Sequence, residues 1–322
     1  MNRHALFAAL LALAPIGAIA QAPAFPSKSV TLVVPVAPGG ILDAVARMLA
    51  PEMAKQLGQP VVVDNKAGAS GNIGATFVAK SAPDGYTLLV GYSMFHVGNP
   101  SMFKDLAWDP IRDFSSVAMV AVSPHVIAVH PSVQARTLQE LVDLAKKEPG
   151  KLNYASPGSG SVPHVGMELF KQQAGIDVMH VPYKGAGPMM QDVIAGQVQM
   201  TVATPPSLLG FVQAGRVRAL AVAAKTRHPL LPDVPTTAEA GYPSFVLEAW
   251  VALFAPAGTP RPVIEKLTAA AAEALKAPEV VERARATGMA IRFMPPAELD
   301  ATVKADLAYW SNVIRNARIS AD

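Results

Sequence analysis

The feature that most constrains this chain is alternation: short β-branched apolar runs give way to amphipathic stretches from one end to the other. Val30-Thr-Leu-Val-Val34 reads as a strand, and Leu42, Val45, Leu49, Met53 and Leu57 then recur at helical spacing. Further strands are expected at residues 61–63, 87–90, 117–122, 126–129, 153–155, 177–181, 200–203, 219–223 and 249–254, with helices between most of them. Such alternation predicts an α/β fold with mainly parallel sheets and helices on both faces. Sheets of this kind bind ligands beyond the carboxyl ends of their strands, where helix N-termini converge with unpaired backbone N–H groups.

Helix boundaries are written in the same way. Thr137 with Glu140 forms a capping box that opens a helix through Lys147, and Gly150 follows as punctuation. Thr259 as N-cap with Pro260 at the first helical position opens another toward Leu275. The last helix carries Leu299, Val303, Leu307, Trp310 and Ile314 on one stripe.

At the N-terminus Arg3 and His4 precede an apolar run that ends in Ala18-Ile19-Ala20, the pattern of a secretory signal peptide cleaved after Ala20, with Ala22 as a second site. Residues 1–20 are therefore read as a leader and the mature protein as periplasmic. Removing them takes Arg3 away and leaves 26 basic against 24 acidic side chains. This near-neutral, scattered charge argues against nucleic acid. With 322 residues the chain exceeds one ordinary core, so two domains are expected. Cysteine is absent, which leaves stability to burial and excludes thiol chemistry. Beyond the leader the longest uncharged stretch, residues 193–215, is broken by Gly196, Pro205 and Pro206, so no membrane helix is expected.

Two loops carry the chemistry. The first, Pro35-Val-Ala37-Pro38-Gly39-Gly40-Ile41-Leu42-Asp43, links a strand to a helix. Its glycines let backbone approach a guest, and the helix N-terminus suits a carboxylate; an ordinary turn capped by Asp43 is the plainer alternative. The second, Ser156-Pro-Gly158-Ser159-Gly160-Ser161-Val-Pro-His164, lacks the Lys of a phosphate-binding P-loop and reads as an anion cradle or a flexible Ser/Gly loop. Gly68-Ala-Ser-Gly71-Asn72-Ile-Gly74 misses dinucleotide spacing and is a turn that also edges the cleft. No cofactor motif is present, and the histidines at 96, 125, 130, 164, 180 and 228 lack metal-ligand spacing and read as surface or loop residues. Tyr183 and Trp250 are core aromatics or pocket walls, with core or hinge packing favoured for Trp250. The enzyme alternative is a secreted serine hydrolase using Ser101 with Lys104, or Ser159 or Ser161 with His164. Its companion motifs are missing, because Lys225-Thr226 is followed by Arg227 in place of Gly.

Several ordered motifs then coincide with a family. They are Pro26-Ser27-Lys28, Pro38-Gly39-Gly40 with Asp43 and Arg47, Gly71-Asn72-Ile73-Gly74 and Pro83-Asp84-Gly85-Tyr86-Thr87-Leu88-Leu89. Further on come Pro149-Gly150-Lys151-Leu152-Asn153-Tyr154, His180-Val181-Pro182-Tyr183-Lys184-Gly185, Leu230-Leu231-Pro232-Asp233-Val234-Pro235-Thr236 and Ala255-Pro256-Ala257-Gly258-Thr259-Pro260. Over nearly all of the mature chain the sequence resembles the Bug-type receptors, substrate-binding components of tripartite tricarboxylate transporters.

The resemblance implies a two-domain Venus-flytrap fold of the type II periplasmic-binding-protein kind, with domain one at residues 21–124 plus 245–322 and domain two at 125–244. It also implies a monomer that binds a small carboxylate without covalent chemistry and serves the membrane subunits of such a transporter, or a sensor kinase in their place. The carboxylate would be held by backbone donors and bridging waters from Ala37, Pro38, Gly39, Gly40, Ile41 and Asp43 and from Ser156, Gly158, Ser159, Gly160, Ser161 and His164. Ser93 and Thr204 match cleft-lining positions, and Tyr183 is a further candidate. The sequence departs from the family pattern at Ile41, where a small or polar residue is common, and at Ala203-Thr204, where an acidic or amide residue often precedes. Both changes make the cleft less polar and point to a ligand with an apolar or aromatic body.

Overall fold

The computed structural model describes residues 25–316 and residue 319. The leader expected at residues 1–20 lies outside them. The strands are β1 (Val30–Val34), β2 (Val61–Asn65), β3 (Thr87–Tyr92), β4 (Phe114–Pro124), β5 (Val126–Val129), β6 (Asn153–Ser156), β7 (Met179–Pro182), β8 (Met200–Ala203), β9 (Arg218–Val222), β10 (Glu248–Pro256) and β11 (Ala290–Met294). The helices are α1 (Ile41–Leu57), α2 (Asn72–Ala79), α3 (Ser93–Val97), α4 (Asn99–Met102), α5 (Leu138–Lys147), α6 (Val162–Ala174), α7 (Ala186–Ile194), α8 (Pro205–Gln213), α9 (Arg261–Ala274), α10 (Pro278–Thr287) and α11 (Pro296–Asn316).

These elements build two lobes, each around its own sheet. The first sheet runs β11-β4-β10-β3-β1-β2 and the second β7-β6-β8-β5-β9. β1 is apolar on both faces because it lies between parallel β2 and β3 under helices, and four of its five residues are fully buried. α1 turns Leu42, Val45, Leu49 and Met53 inward and stops at Gly58, whose N–H caps Ala54 O at 2.9 Å.

The sheets are mixed, which corrects the expectation of mainly parallel pairing. β4 runs toward the gap between the lobes, and the chain leaves it at Pro124 and enters the second sheet directly as β5. A strand entered from the gap must run away from it, so β5 is antiparallel to β8 and β9. β10 makes the return crossing and is antiparallel to β3 and β4 for the same reason. The crossings are tied side by side: His125 N donates to Leu247 O at 2.9 Å, Ala223 N to His125 O at 2.8 Å, and Leu247 N to Ala223 O at 2.9 Å.

The capping box is present, with Glu140 N donating to Thr137 Oγ1 at 3.1 Å. α9 begins one residue later than expected: Pro260 is its N-cap, and the Thr259 hydroxyl instead turns back to Pro256 O at 2.7 Å. β11, absent from the sequence reading, is a mostly exposed edge strand that pairs only with β4. Among the described residues no helix is long and apolar enough to cross a membrane.

Candidate functional site

Five strand ends deliver helices to the gap between the lobes: β1 leads to α1, β3 to α3, β6 to α6, β7 to α7 and β8 to α8. An inner cavity of about 50 Å³ lies there. The first lobe contributes Val36, Gly40, Ile41, Leu42, Tyr92 and Phe95, and the second Pro157, Gly185, Ala186, Met189, Val202 and Thr204, among others. An outer chamber of about 580 Å³ shares Val36, Phe95, Pro157 and Gly185 with it and adds the 67–71 turn, Gly158, Ser159, Tyr183 and Lys184.

The first loop is held by the residue that begins its helix. Asp43 accepts from Arg47 Nε at 3.0 Å, from Asn65 Nδ2 at 3.1 Å and from Gly39 N at 3.3 Å, while Asn65 also donates to Val36 O at 3.0 Å. Burial works to raise the Asp43 pKa, but these partners together hold it below the usual carboxylate range. Asp43 therefore positions the loop, and Gly39, at φ +98°, supplies the turn that a side chain would resist. The N–H groups of Ile41, Leu42 and Asp43 then open α1 with no intrahelical acceptor.

The second loop spends the N–H groups of Gly158, Gly160 and Ser161 on itself, while those of Ser159 and Val162 have no acceptor among the described residues. Gly158 N donates to Ser156 Oγ at 3.2 Å, Gly160 N to His164 Nδ1 at 2.9 Å and Ser161 N to Gly158 O at 3.1 Å. Ser161 caps α6 through His164 N. The His164 ring is stacked on His180 with centroids 4.0 Å apart, and burial lowers the pKa of both, that of His180 to about 3. Among the described residues neither the Ser159 nor the Ser161 hydroxyl is hydrogen-bonded to the His164 ring, so the pairings with His164 that the hydrolase alternative names are not made. The serine–imidazole contact this loop does make, Ser156 Oγ to His180 Nε2 at 2.7 Å, has its serine fully buried, away from any guest.

The partner that faces the first loop is the start of α7. A Cβ built on Gly187 would lie 3.3 Å from Pro38 O, one on Gly185 3.2 Å from Ala37 Cβ, and one on Gly40 3.6 Å from Ala186 Cβ. The two helix N-termini thus stand against each other across the gap, one from each lobe. Both carry positive dipole ends, and an anion between them would satisfy both.

Of the sequence-derived site residues, Gly40, Ile41 and Thr204 line the inner cavity, and Gly158, Ser159 and Tyr183 line the outer chamber. Tyr183 donates its hydroxyl to Asp192 Oδ2 at 2.6 Å, and burial with that neighbour pushes its pKa up to about 12. Ala37, Pro38, Gly39, Asp43, Ser156, Gly160, Ser161 and His164 support these walls without lining either space. Ser93 is buried beside Tyr92 with its hydroxyl unpartnered. The 67–71 turn does edge the cleft, and Ser70 Oγ donates across it to Ser159 O. Trp250 packs in the first lobe and donates to Asp306 Oδ2 at 2.7 Å.

The reading of the histidines as surface or loop residues is corrected: His96, His125, His164 and His228 are all buried. His125, missed as a site residue, lines the inner cavity. Its Nδ1 lies 3.1 Å from Leu247 O, which can only accept, so Nδ1 carries the proton and Nε2 accepts from the Tyr92 hydroxyl, also at 3.1 Å. Burial lowers its pKa to about 4, so the ring is neutral. The one available signal was its place between the apolar runs of β4 and β5.

Two lobes joined by paired crossings, with opposed helix N-termini at a shared cavity, define a solute-binding receptor of the clamshell class. Residues 45–319 match the model of the tripartite tricarboxylate transporter family receptors, and the chain belongs to that family. BugT from Bordetella pertussis (strain Tohama I) is 36% identical over 319 residues, covering 98% of each chain. The solved structure of R. palustris Rpa4515 with adipate is 35% identical with a TM-score of 0.89, covering 92% of this chain and 99% of that one. MatC from Rhodopseudomonas palustris with bound malate is 37% identical with a TM-score of 0.86, over 90% and 100% of the two chains. The family and these neighbours are binding proteins, and the chain is a receptor rather than an enzyme.

Proposed function

We propose that this protein is a periplasmic receptor that closes its lobes on a small carboxylate and delivers it to the membrane subunits of a tripartite-type transporter. The observation that carries the reading is the pair of opposed helix starts, Gly40-Ile41-Leu42 of α1 and Gly185-Ala186 of α7, on one cavity. Adipate and malate in the related structures support the carboxylate class. In this reading the moving bodies are residues 21–124 with 245–322 and residues 125–244, and the bonds among His125, Ala223 and Leu247 form the hinge. Ligand drives closure because it touches both lobes only in the closed form.

Thermal-shift titration with adipate, malate, hexanoate and benzoate beside their uncharged amides tests the ligand class. At least one acid is expected to raise the melting temperature while its amide does not. Equal shifts from acid and amide, or none from any acid, would contradict it. Delivery is tested by deleting the transporter's membrane subunits, after which uptake should cease; unchanged uptake would count against this partner.

A further inference from the structure

We infer that the inner cavity houses the apolar body of a monocarboxylate, so that this receptor prefers aliphatic or aromatic monocarboxylates to dicarboxylates. The inference rests on the carboxylate reading above and narrows it. The anion-binding end of the cavity is the opposed pair of helix starts, and the remaining wall is formed largely by Val36, Ile41, Phe95, Met189 and Val202. Among the described residues no lysine or arginine lines it.

The polar groups that do reach the far wall are already committed. The Tyr92 hydroxyl donates to His125 Nε2, and the proton on His125 Nδ1 goes to Leu247 O, so this pair offers a second carboxylate no free N–H. The hydroxyls of Thr204 and Ser207 are the other side-chain donors in the lining, and neither brings positive charge. A second carboxylate would therefore lose its water against Phe95, Met189 and Val202 without a countercharge, and buried charge without a partner is strongly disfavoured. A methylene chain or a phenyl ring loses nothing there and gains from burial.

Size does not separate the two classes: about 50 Å³ is well below the roughly 150 Å³ of cavity that takes up benzene, so any of these guests widens the space, and the preference rests on the apolar lining. A second charged group has one other place to go, the outer chamber, where Lys184 and the Ser70–Ser159 contact lie. That placement is the competing outcome.

The test is calorimetry on the mature chain with hexanoate, benzoate, adipate and malate, and with hexanamide and benzamide as uncharged controls. Hexanoate or benzoate is expected to bind about tenfold or more tightly than adipate and malate, with no binding by the amides. Ile41→Ser should weaken the monocarboxylates about fivefold and leave adipate nearly unchanged, because it removes apolar wall beside the anion end. Met189→Gln should narrow the gap by placing a donor at the far wall. Adipate or malate binding as tightly as the monocarboxylates overturns this inference and leaves the receptor reading standing. Amides binding as well as acids, or no acid binding, overturns both.

Discussion

The two glycine-containing loops look alike in sequence and do opposite work. In the first, Asp43, Arg47 and Asn65 hold the turn from behind, so the N–H groups that open α1 stay free to face the gap. In the second, the amides of Gly158, Gly160 and Ser161 close on Ser156, His164 and Gly158 of the same loop. In the proposed function the lobe that carries this loop meets the anion instead with the start of α7, which follows β7 and Gly185 at φ +119°. Glycine content alone does not identify an anion cradle. What decides is whether the backbone donors already have acceptors.

That contrast can be broken at its strongest point first. In the proposed closing motion Gly187→Val presses a side chain against Pro38 O, which lies 3.3 Å from the Cβ position, so ligand affinity should fall about 100-fold by calorimetry while the unliganded melting temperature changes little. Unaltered affinity would place the closing contact elsewhere. Asp43→Asn removes the charge-assisted bonds behind the first loop and should weaken binding about tenfold. It also carries a pH signature. The folded pKa of Asp43 is depressed, so its stabilisation is present above the unfolded value of 3.8 and lost as pH falls through the folded one. Melting temperature should therefore drop more steeply in wild type than in the Asp43→Asn variant as pH falls below about 4.

His125→Asn sharpens the account of the hinge. The unfolded imidazole takes a proton near pH 6.5, whereas the folded ring resists until about 4, so stability is lost as pH falls through that window. The variant should show a shallower loss of melting temperature there. It will not be flat, because His96 and His180 are depressed in the same direction. The smallest effect belongs to the second loop: Ser161→Ala should cost about 1 kcal/mol of stability as a lost cap and shift affinity less than threefold. A tenfold loss of affinity would mean that this loop grips the ligand directly.

The fold was legible where burial and periodicity agree, as in Val30-Thr-Leu-Val-Val34 followed by the apolar stripe of α1. β11 was not, because Ala290-Ile-Arg-Phe-Met294 is an edge strand with three of its five residues exposed and no alternating pattern. The antiparallel sense of β5 and β10 was hidden for another reason: it follows from the chain's two crossings between lobes, a tertiary property that no local pattern records. At the site, Gly40, Ile41 and Thr204 were readable from their places after strands. Gly185-Ala186 carries the same strand, glycine and helix signature, but only the tertiary approach of Ala37 and Pro38 distinguishes it from an ordinary turn. His125 gave little local sign, since a lone imidazole in an apolar run shows its role only when Tyr92 and Leu247, distant in sequence, arrive beside it.

The opposed helix starts are tested most directly by amide proton–nitrogen spectra of the labelled protein, titrated with whichever of hexanoate, benzoate, adipate and malate binds most tightly. The largest downfield proton shifts are expected at Ile41, Leu42 and Ala186, with the Gly158 and Gly160 amides nearly still. Large shifts at Gly158–Ser161 with the α1 amides unmoved would contradict it.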